Sequence, residues 1–242
     1  MSLINDRISV VMATYNGERY IRQQLDTILP FLEDGDELLV TDDGSKDSTL
    51  QIIQEYFEKY PSKIRTVSGP HKGVAQNFSS GLMKCKNDIA LLSDQDDIWS
   101  ERKISVMRKS FNDHPEALVI MHDGGYCDSE GNILPDRIYE HRETGHGWVK
   151  NLVKSCYYGC CLGVRREFID TALPIPSGRV LHDQYFGLIA EQLKCSEFIP
   201  DELIWHRIHD TNKSSSQSFS NQIYYRKELL KGYLDWKKRA NK

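Results

Sequence analysis

The chain has 242 residues, of which 39% are hydrophobic and 27% charged, the composition of an ordinary globular protein and not of a disordered one. The formal net charge of −4 argues against a general nucleic-acid-binding protein, so no nucleic-acid partner is expected. No apolar run reaches the roughly 18–20 residues of a membrane-spanning helix, and no signal peptide opens the sequence, which favours a cytoplasmic protein.

Six cysteines are present, and no two of them form a Cys-x-x-Cys pair. In a protein without a secretory signal, this pattern predicts reduced thiols in the core. Cys156, Cys160 and Cys161 are close enough in sequence to suggest a zinc site, but their neighbours are apolar and aromatic. Metal binding by these cysteines is therefore disfavoured.

Strand-like and helix-like segments alternate over roughly the first 110 residues. The predicted strands are Ile8–Thr14, Glu37–Thr41, Ile64–Val67 and Ile89–Ser93. The predicted helices run from Glu18 to Leu32, through Leu50, Ile53 and Phe57, and from Val74 to Lys84.

This alternation predicts an α/β fold with a mostly parallel, Rossmann-like sheet that has helices on both faces. A dinucleotide-binding fold of the dehydrogenase kind is poorly supported, because no Gly-x-Gly-x-x-Gly follows the first strand. A P-loop is excluded, because its Gly-x-x-x-x-Gly-Lys-[Ser/Thr] motif does not occur.

The segment that follows the fourth predicted strand is strongly acidic. Asp94, Asp96 and Asp97 lie within four residues and are followed by Trp99. Crowded carboxylates repel one another unless a positive charge lies between them, and Mg²⁺ or Mn²⁺ prefers such oxygen ligands. The alternative interpretation is a solvated acidic turn before the next helix. In a parallel sheet, however, this turn would meet Ala13–Gly17 and Asp42–Asp43, which follow the first and second strands.

The pattern changes after Lys109. Leu118–Met121 and Tyr157–Val164 are strand-like, Ser196–Ile208 is extended, and Arg166–Leu173 and the segment after His182 are helical. Asp136–Gly147 is polar and aperiodic, which predicts a mobile loop near the substrate. The expected organisation is a regular half at 1–110, a less regular half of the same domain at 111–220 and a basic helix at 221–242.

Four motifs in order resemble the family 2 inverting glycosyltransferases, which have the GT-A fold. They are Val10–Asn16, Asp42-Asp43-Gly44-Ser45-x-Asp47, Gly73-Val74-Ala75-x-Asn77 and Ser93-Asp94-Gln95-Asp96-Asp97-x-Trp99. The last form is similar to a bacterial rhamnosyltransferase-like branch. The match covers residues 7–110 strongly and, more loosely, His182-Asp183 and Trp205–Asn212. The resemblance implies a nucleotide-sugar-binding half at 1–110 and an acceptor-binding half of the same domain at 111–220.

The resemblance implies a nucleoside pocket lined by Thr14, Tyr15 and Asn16, with Asp42 or Asp43 accepting from the pyrimidine or the ribose. Helix capping remains the alternative for both aspartates. Asn77 would reach the donor from its helix, or else it is a surface amide.

A divalent ion, Mn²⁺ or Mg²⁺, would be held by Asp94 and Asp96, with Asp94 also near the ribose. His209 would be a third metal ligand and Arg207 would hold the diphosphate, because guanidinium matches phosphate. Two solvated histidines in a loop are the alternative.

Asp183 is implied as the general base that deprotonates the acceptor hydroxyl. A simple helix cap is the alternative for Asp183, and His182 is expected to shape the pocket.

Residues 221–242 contain seven Lys or Arg and two acidic residues, a net charge of +5, so the remaining residues carry −9. Tyr225, Leu229, Tyr233 and Trp236 recur at spacings of 4, 4 and 3, which indicates one helix face. Two interpretations stay open: packing on the domain's own core or in a homodimer, and peripheral contact with the inner face of the cell membrane.

The resemblance implies transfer of a sugar from a UDP- or dTDP-linked donor to a glycan or polyprenyl-linked acceptor in bacterial surface polysaccharide synthesis. A sugar nucleotidyltransferase would need a basic Gly-rich loop after the first strand, and Thr14–Glu18 is not one. A catalytically inactive nucleotide-binding scaffold would be expected to lack the metal carboxylates or the base, whereas Asp94, Asp96 and Asp183 are all present.

Overall fold

Strands and helices alternate over the first half of the chain, in the order expected from the sequence. The computed structural model describes residues 6–176, 180–209 and 219–241. The strands are β1 (Ile8–Thr14), β2 (Glu37–Asp42), β3 (Ile64–Ser68), β4 (Ile89–Ser93), β5 (Ile98–Trp99), β6 (Val119–Cys127), β7 (Ile133–Arg137), β8 (Leu162–Arg165) and β9 (Ser196–Arg207). The helices are α1 (Ile21–Ile28), α2 (Thr49–Lys59), α3 (Val74–Lys84), α4 (Lys103–Asp113), α5 (Ile138–Arg142), α6 (Trp148–Val153), α7 (Arg166–Ala172), α8 (His182–Leu193) and α9 (Phe219–Ala240).

Within the described ranges these strands form one sheet in the order β3-β2-β1-β4-β8-β6-β9-β5, and β7 pairs with the free part of β6. The first four strands in this order are parallel, and β9 is parallel to β6. Antiparallel β8 joins the two parallel groups, and β5 and β7 are also antiparallel. The predicted mostly parallel α/β sheet is confirmed.

The central strands are apolar because both of their faces are covered. Every residue of β1, β2, β4 and β6 is buried, as expected when helices pack on both faces of a parallel sheet. The six cysteines are buried and free, as predicted. The polar ends of the strands are therefore the places where this core meets solvent.

Two local predictions are wrong. Asp136–Gly147 is not one irregular loop, because it contains the end of β7 and helix α5. Fully buried Ile138 anchors that helix, and the Tyr139 backbone N–H donates to Asp123 Oδ1 at 3.0 Å. In the predicted strand Tyr157–Val164, a 3₁₀ turn at Gly159–Cys161 precedes β8.

Helix α9 packs on the core through the aromatic side chains singled out in the sequence. Leu229, Tyr233 and Trp236 are at most 5% exposed. The Trp236 indole donates to the Thr171 carbonyl at 3.0 Å, and the Tyr233 hydroxyl donates to Gln192 at 2.6 Å. Core packing is therefore the correct interpretation for these three side chains. No helix among the described residues is long and apolar enough to cross a bilayer.

Glu37, at the start of β2, is a charged side chain that is only 1% exposed. Burial alone would raise the pKa of its carboxyl group, but Arg65 at 3.1 Å, the Lys86 N–H and the Ser9 hydroxyl outweigh burial and lower that pKa. A carboxyl group with a lowered folded-state pKa stabilises the protein above its unfolded-state pKa.

We expect Glu37→Gln to lower the free energy of unfolding by about 1–3 kcal/mol at neutral pH, because the buried hydrogen-bond donors lose a charged acceptor. The difference from wild type should shrink as the pH falls through the folded-state pKa, which lies below the ordinary value of 4.5. Urea unfolding between pH 3 and 7 measures this, with the exposed Glu58→Gln as control. A difference that is constant with pH would contradict this account.

Candidate active site

The carboxyl ends of β1, β2 and β4 meet at one edge of the sheet, as parallel strands require. Thr14, at the end of β1, is in register with Asp42, and its hydroxyl donates to Asp42 Oδ2 at 2.8 Å. Ser93, at the end of β4, is in register with Met12 of β1. The acidic turn after Ser93 therefore lies beside the other two strand exits, and the predicted convergence is confirmed.

The two aspartates that follow β2 bind backbone and hydroxyl groups of neighbouring turns. Asp42, only 5% exposed, accepts from the Ser45 N–H at 2.8 Å and from its hydroxyl at 2.6 Å. Asp43 is half-buried and accepts from the Gly73 N–H, just before α3, at 2.7 Å. Both carboxylates therefore fix the shape of this edge, and contact with a nucleoside stays a prediction.

Neither Asp42 nor Asp43 caps α2, so the capping alternative is wrong for that helix. Helix α2 begins at Thr49, and its backbone N–H donates to Asp47 Oδ1 at 3.0 Å.

The segment after β1 is held to the acidic turn by Gln95. The Tyr15 N–H donates to Gln95 Oε1 at 2.9 Å, and Gln95 Nε2 donates back to the Tyr15 carbonyl at 3.1 Å. The Tyr15 side chain is 50% exposed, and Asn16 accepts from the Lys46 N–H at 2.9 Å. Thr14 is only 1% exposed, so its side chain does not line an open pocket as predicted.

Asn77 lies beneath this edge and not on the surface, so the surface-amide alternative is wrong. Its side chain is 1% exposed. Its Oδ1 accepts from the Thr41 hydroxyl at 2.7 Å, and its Nδ2 donates to the Thr41 carbonyl at 2.7 Å and to the Thr14 carbonyl at 3.4 Å. These hydrogen bonds hold the ends of β1 and β2 together. For Asn77 to contact a donor directly, its side chain would have to give up hydrogen bonds to these strands.

Asp94 is the acid in this turn that has no hydrogen-bond donor among the described residues. Burial and the neighbouring charges of Asp97 and Asp96 raise the pKa of Asp94 to about 8, and the charge of Asp183 adds to this effect. Four carboxyl groups from two distant segments are therefore close enough to interact. A carboxylate with like charges around it and no donor is a site that favours a cation.

Asp96 is close to the histidine that the sequence predicted as its partner. His209 Nε2 lies 3.0 Å from Asp96 Oδ2, and both side chains are largely buried. The His209 ring also packs on Tyr20, with the ring centroids 5.0 Å apart. The solvated-loop alternative is therefore wrong for His209. Asn212, the last residue of the same motif, lies outside the described residues.

Asp97 forms a second, more deeply buried cluster with His206 and Cys160. His206 Nδ1 lies 2.8 Å from Asp97 Oδ1 and 4.0 Å from Cys160 Sγ. In the described ranges this is the group of three ligand-type side chains whose ligand atoms all lie within 4.8 Å of one another. Burial raises the pKa of Cys160, and Asp97 raises the pKa of His206 against the effect of burial, so both side chains keep their protons.

Such a cluster is better described as a buried ion pair beside a thiol than as the predicted metal site. An imidazole protonated on both nitrogens offers no lone pair to a cation, and sulfur ligands suit soft metals better than Mg²⁺ or Mn²⁺. Asp97 Oδ2 is buried and has no hydrogen-bond partner in the described part of the chain.

Arg207 does not lie where a diphosphate could reach it, so its predicted role does not agree with the structure. The side chain is 1% exposed. Its guanidinium donates to the Asp96 carbonyl at 2.7 Å, to the Ser129 carbonyl at 3.1 Å and to Gln23 at 2.6 Å. It also lies 4.7 Å from the centre of the Tyr20 ring. Arg207 therefore fastens β9 to the acidic turn and to α1.

Asp183 lies in the first turn of α8, two residues after the N-cap Leu181. Its Oδ1 accepts from the Gln184 N–H at 2.7 Å, and the side chain is partly exposed. The neighbouring His182 is 8% exposed, and neither of its ring nitrogens has a hydrogen-bond partner within the described ranges.

Gln95 and Lys103 shape this site but had no role in the sequence prediction, and Cys160 was considered there only as a disfavoured zinc ligand. Gln95 lies inside the acidic motif, but only the structure shows that it pairs with the backbone of Tyr15. Lys103 is fully buried below the turn, 3.6 Å from the centre of the Trp99 ring, and burial lowers the pKa of its amine to about 8. The Lys103 amine donates a hydrogen bond to the backbone carbonyl of Cys160 at 2.7 Å. No spacing in the sequence signals these contacts.

A sequence profile described as glycosyl transferase family 2 matches residues 9–173, which is more than half of the chain. The chain belongs to glycosyl transferase family 2. The matched residues include β1, β2, β4 and the whole acidic turn. They end before Asp183, so the predicted base lies outside the match.

Among known members of family 2, a dTDP-rhamnosyl transferase, RfbG of Shigella flexneri, is 39% identical over 98 residues, which is 38% of this chain and 34% of that protein. Three mycobacterial relatives are 35% identical over 137 residues, which is 51% of this chain and 38% of each of them. The chain therefore spans less than half the length of these relatives, and the similarity concerns a shared segment.

Solved structures share the fold of this family 2 chain at low sequence identity. S. aureus TarS (1–349), in complex with UDP-GlcNAc, has a TM-score of 0.69 and 17% identity over 95% of this chain and 72% of that one. Glucosyl-3-phosphoglycerate synthase of Mycobacterium tuberculosis, with Mn²⁺, UDP and glucosyl-3-phosphoglycerate, has a TM-score of 0.63 and 18% identity over 95% of this chain and 79% of that one. These likenesses confirm the GT-A fold.

We expect Asp97→Asn to lower the free energy of unfolding by about 3–5 kcal/mol, because it leaves the buried His206 charge without its partner. The control is Asp201→Asn, which removes an ion pair with Arg102 at 3.2 Å between exposed side chains. That change should cost less than about 1 kcal/mol. Urea unfolding at pH 7 compares the two variants, and equal losses would show that the Asp97 pair has no special importance for stability.

Proposed function

We propose that this protein is an inverting, metal-dependent glycosyltransferase that uses a UDP- or dTDP-linked sugar. The proposal is supported by the family 2 match and by the acidic turn, where Asp96 contacts His209 and where Asp94, which is under the influence of the Asp183 charge, has no donor among the described residues. Carboxylates from the acidic turn suit a nucleotide-bound cation, and a carboxylate on a separate element suits a base. The relative with dTDP-rhamnose in its name and the neighbours bound to UDP or UDP-GlcNAc support the donor class.

The side chains present fit a divalent cation. Asp94 has no donor and a raised pKa, and Asp96 and His209 are already in contact. Asp94, Asp96 and His209 would hold the ion through two carboxylates and one imidazole, a donor set that Mn²⁺ accepts. A bound divalent ion supplies Lewis-acid stabilisation of the negative charge on a diphosphate leaving group.

The protein's own residues would then place and activate the acceptor. Asp183, at the start of α8, takes the proton of the acceptor hydroxyl as the hydroxyl oxygen forms the new bond to the anomeric carbon. The bond from that carbon to the diphosphate oxygen breaks, and the nucleoside diphosphate leaves with the bonding electrons. Attack from the opposite side inverts the configuration. Gln95, which ties the backbone after β1 to the acidic turn, and Asn77, which holds the ends of β1 and β2, keep the donor edge in shape.

A glycan or polyprenyl-linked hydroxyl in bacterial surface polysaccharide synthesis is the acceptor we propose. The support is the resemblance of the sequence motifs to family 2. Gly159–Cys161 lies beside His182, since a Cβ on Gly159 would come within 2.5 Å of His182 Nε2. This close approach supports an acceptor site at this segment, because Asp183 directly follows His182 in the chain.

Nucleotide binding is tested first, by thermal unfolding with UDP, dTDP, GDP or CDP in the presence of Mn²⁺, Mg²⁺ or EDTA. A nucleotide at 100 times its Kd adds about 2.7 kcal/mol, which in a chain of this size raises Tm by roughly 5–10 °C. We expect a shift with UDP or dTDP that needs metal, disappears in Asp96→Ala and persists in the exposed control Asp170→Ala. No shift with any nucleotide would favour the alternative of a catalytically inactive scaffold.

Catalysis by Asp183 is tested with the donor found in this way and a panel of sugar acceptors. We expect Asp183→Asn to lower turnover by about 10²–10⁴-fold, the usual contribution of a positioned general base. The thermal shift with nucleotide should stay the same, because the amide removes the base without changing the donor edge. Release of nucleoside diphosphate measures turnover, with Asp170→Asn as control. Wild-type turnover in Asp183→Asn would exclude this residue as the base.

A further inference from the structure

Helix α9 has a second row of apolar side chains, which points away from the core. Ile223, Leu230 and Leu234 are 39%, 36% and 46% exposed. Their spacings of 7 and 4 place them on one face of the helix. Leu229, Tyr233 and Trp236 already hold the helix to the core from another face, so this row is not needed to dock it.

The neighbouring helix α6 also has exposed apolar side chains. Its two valines, Val149 and Val153, are 67% and 56% exposed. The Arg226 guanidinium donates to the Val153 carbonyl at 2.7 Å, which fixes α6 beside the first turns of α9. Val149, Val153, Ile223, Leu230 and Leu234 together form an exposed apolar surface, called here the α6–α9 patch.

Exposed lysines border this patch. Lys227, Lys231 and Lys238 follow one side of the apolar row at spacings of 4 and 7, and Lys237 lies on the other side. Asp235 lies 3.8 Å from Lys238 and offsets one of these positive charges. The segment 221–242 has a net charge of +5 in a chain of −4, so positive charge is concentrated here.

We infer that the α6–α9 patch binds the surface of an anionic membrane, with α9 lying parallel to the lipid plane. A row of aliphatic side chains between lysines matches the boundary between acyl chains and acidic headgroups. The negative charge of the other residues is repelled by such a surface, which favours contact through this helix alone. A second copy of the chain fits less well, because two-fold pairing would bring the lysines of both copies together.

The site and the patch are connected through α8. The Tyr233 hydroxyl contacts Gln192 near the end of α8, and Arg239 lies 3.5 Å from the Tyr185 hydroxyl near its start. Helix α9 therefore runs along α8 toward Asp183. Membrane binding does not require the transfer reaction, and it is measured without any sugar donor, so the two proposals succeed or fail separately.

Vesicle flotation tests the inference with the full chain. We expect the protein to float with equimolar phosphatidylglycerol and phosphatidylcholine, to stay unbound with phosphatidylcholine alone and to be released by high salt. Replacing Lys227, Lys231 and Lys238 by Gln should weaken binding about 100-fold, since each lysine near an anionic surface contributes roughly fivefold. The matched control replaces three exposed lysines elsewhere, Lys59, Lys109 and Lys194, and should bind nearly as well as wild type.

The apolar part is tested by Leu230→Ser/Leu234→Ser, which should reduce binding at least tenfold because two aliphatic side chains no longer enter the membrane. Leu50→Ser, at a leucine that is 44% exposed on α2, is its control. Circular dichroism confirms that each variant is folded. No flotation with anionic vesicles, or equal binding by patch and control variants, would overturn the inference. So would a wild-type dimer that the leucine variant converts to monomer, because a second copy would then cover the patch.

Discussion

Like-charge repulsion at the edge of a buried sheet is the constraint on which this site depends. Asp94, Asp96 and Asp97 follow a strand whose five residues are all buried, so the chain must compensate three carboxyl groups within one turn. It does so for two of the three groups. Asp97 is paired with His206, Asp96 contacts His209, and Asp94 keeps a raised pKa and has no donor in the described ranges. The uncompensated group marks where an external positive charge is favoured.

The compensation comes from a strand that is distant in sequence. Strand β9 pairs with β5 immediately after the acidic turn, which brings His206 and Arg207 against the carboxylates. Lys103 adds a buried positive charge from below. The two halves of the sheet are therefore joined twice, by the hydrogen bonds of β8 with β4 and by the charges at the turn. Residues that look like ligands in the sequence serve in part to hold these halves together.

Hydrophobic periodicity was enough to locate most of the core, because buried parallel strands are long apolar runs that end abruptly. It failed where one or two anchors decide the structure, as Ile138 does within a polar segment. The site was predictable as a meeting of strand exits, and Asp96 with His209 followed from the family motif. What each polar side chain binds was not predictable. Thr14, Asn77 and Arg207 have the residue types of a binding site, yet the protein uses all three internally.

The pairing of Asp97 with His206 also has a consequence for recombination between relatives. The edge formed by the ends of β1, β2 and β4 is built from residues before 100, which suggests a module that could be combined with a different second half. The charge balance of the acidic turn, however, is shared between that module and β9. A chimera joined anywhere between β5 and β9 would inherit Asp97 from one parent and its counter-charge from the other. Exchangeable units in this architecture therefore include β9 together with the acidic turn, even though roughly a hundred residues separate them in the chain.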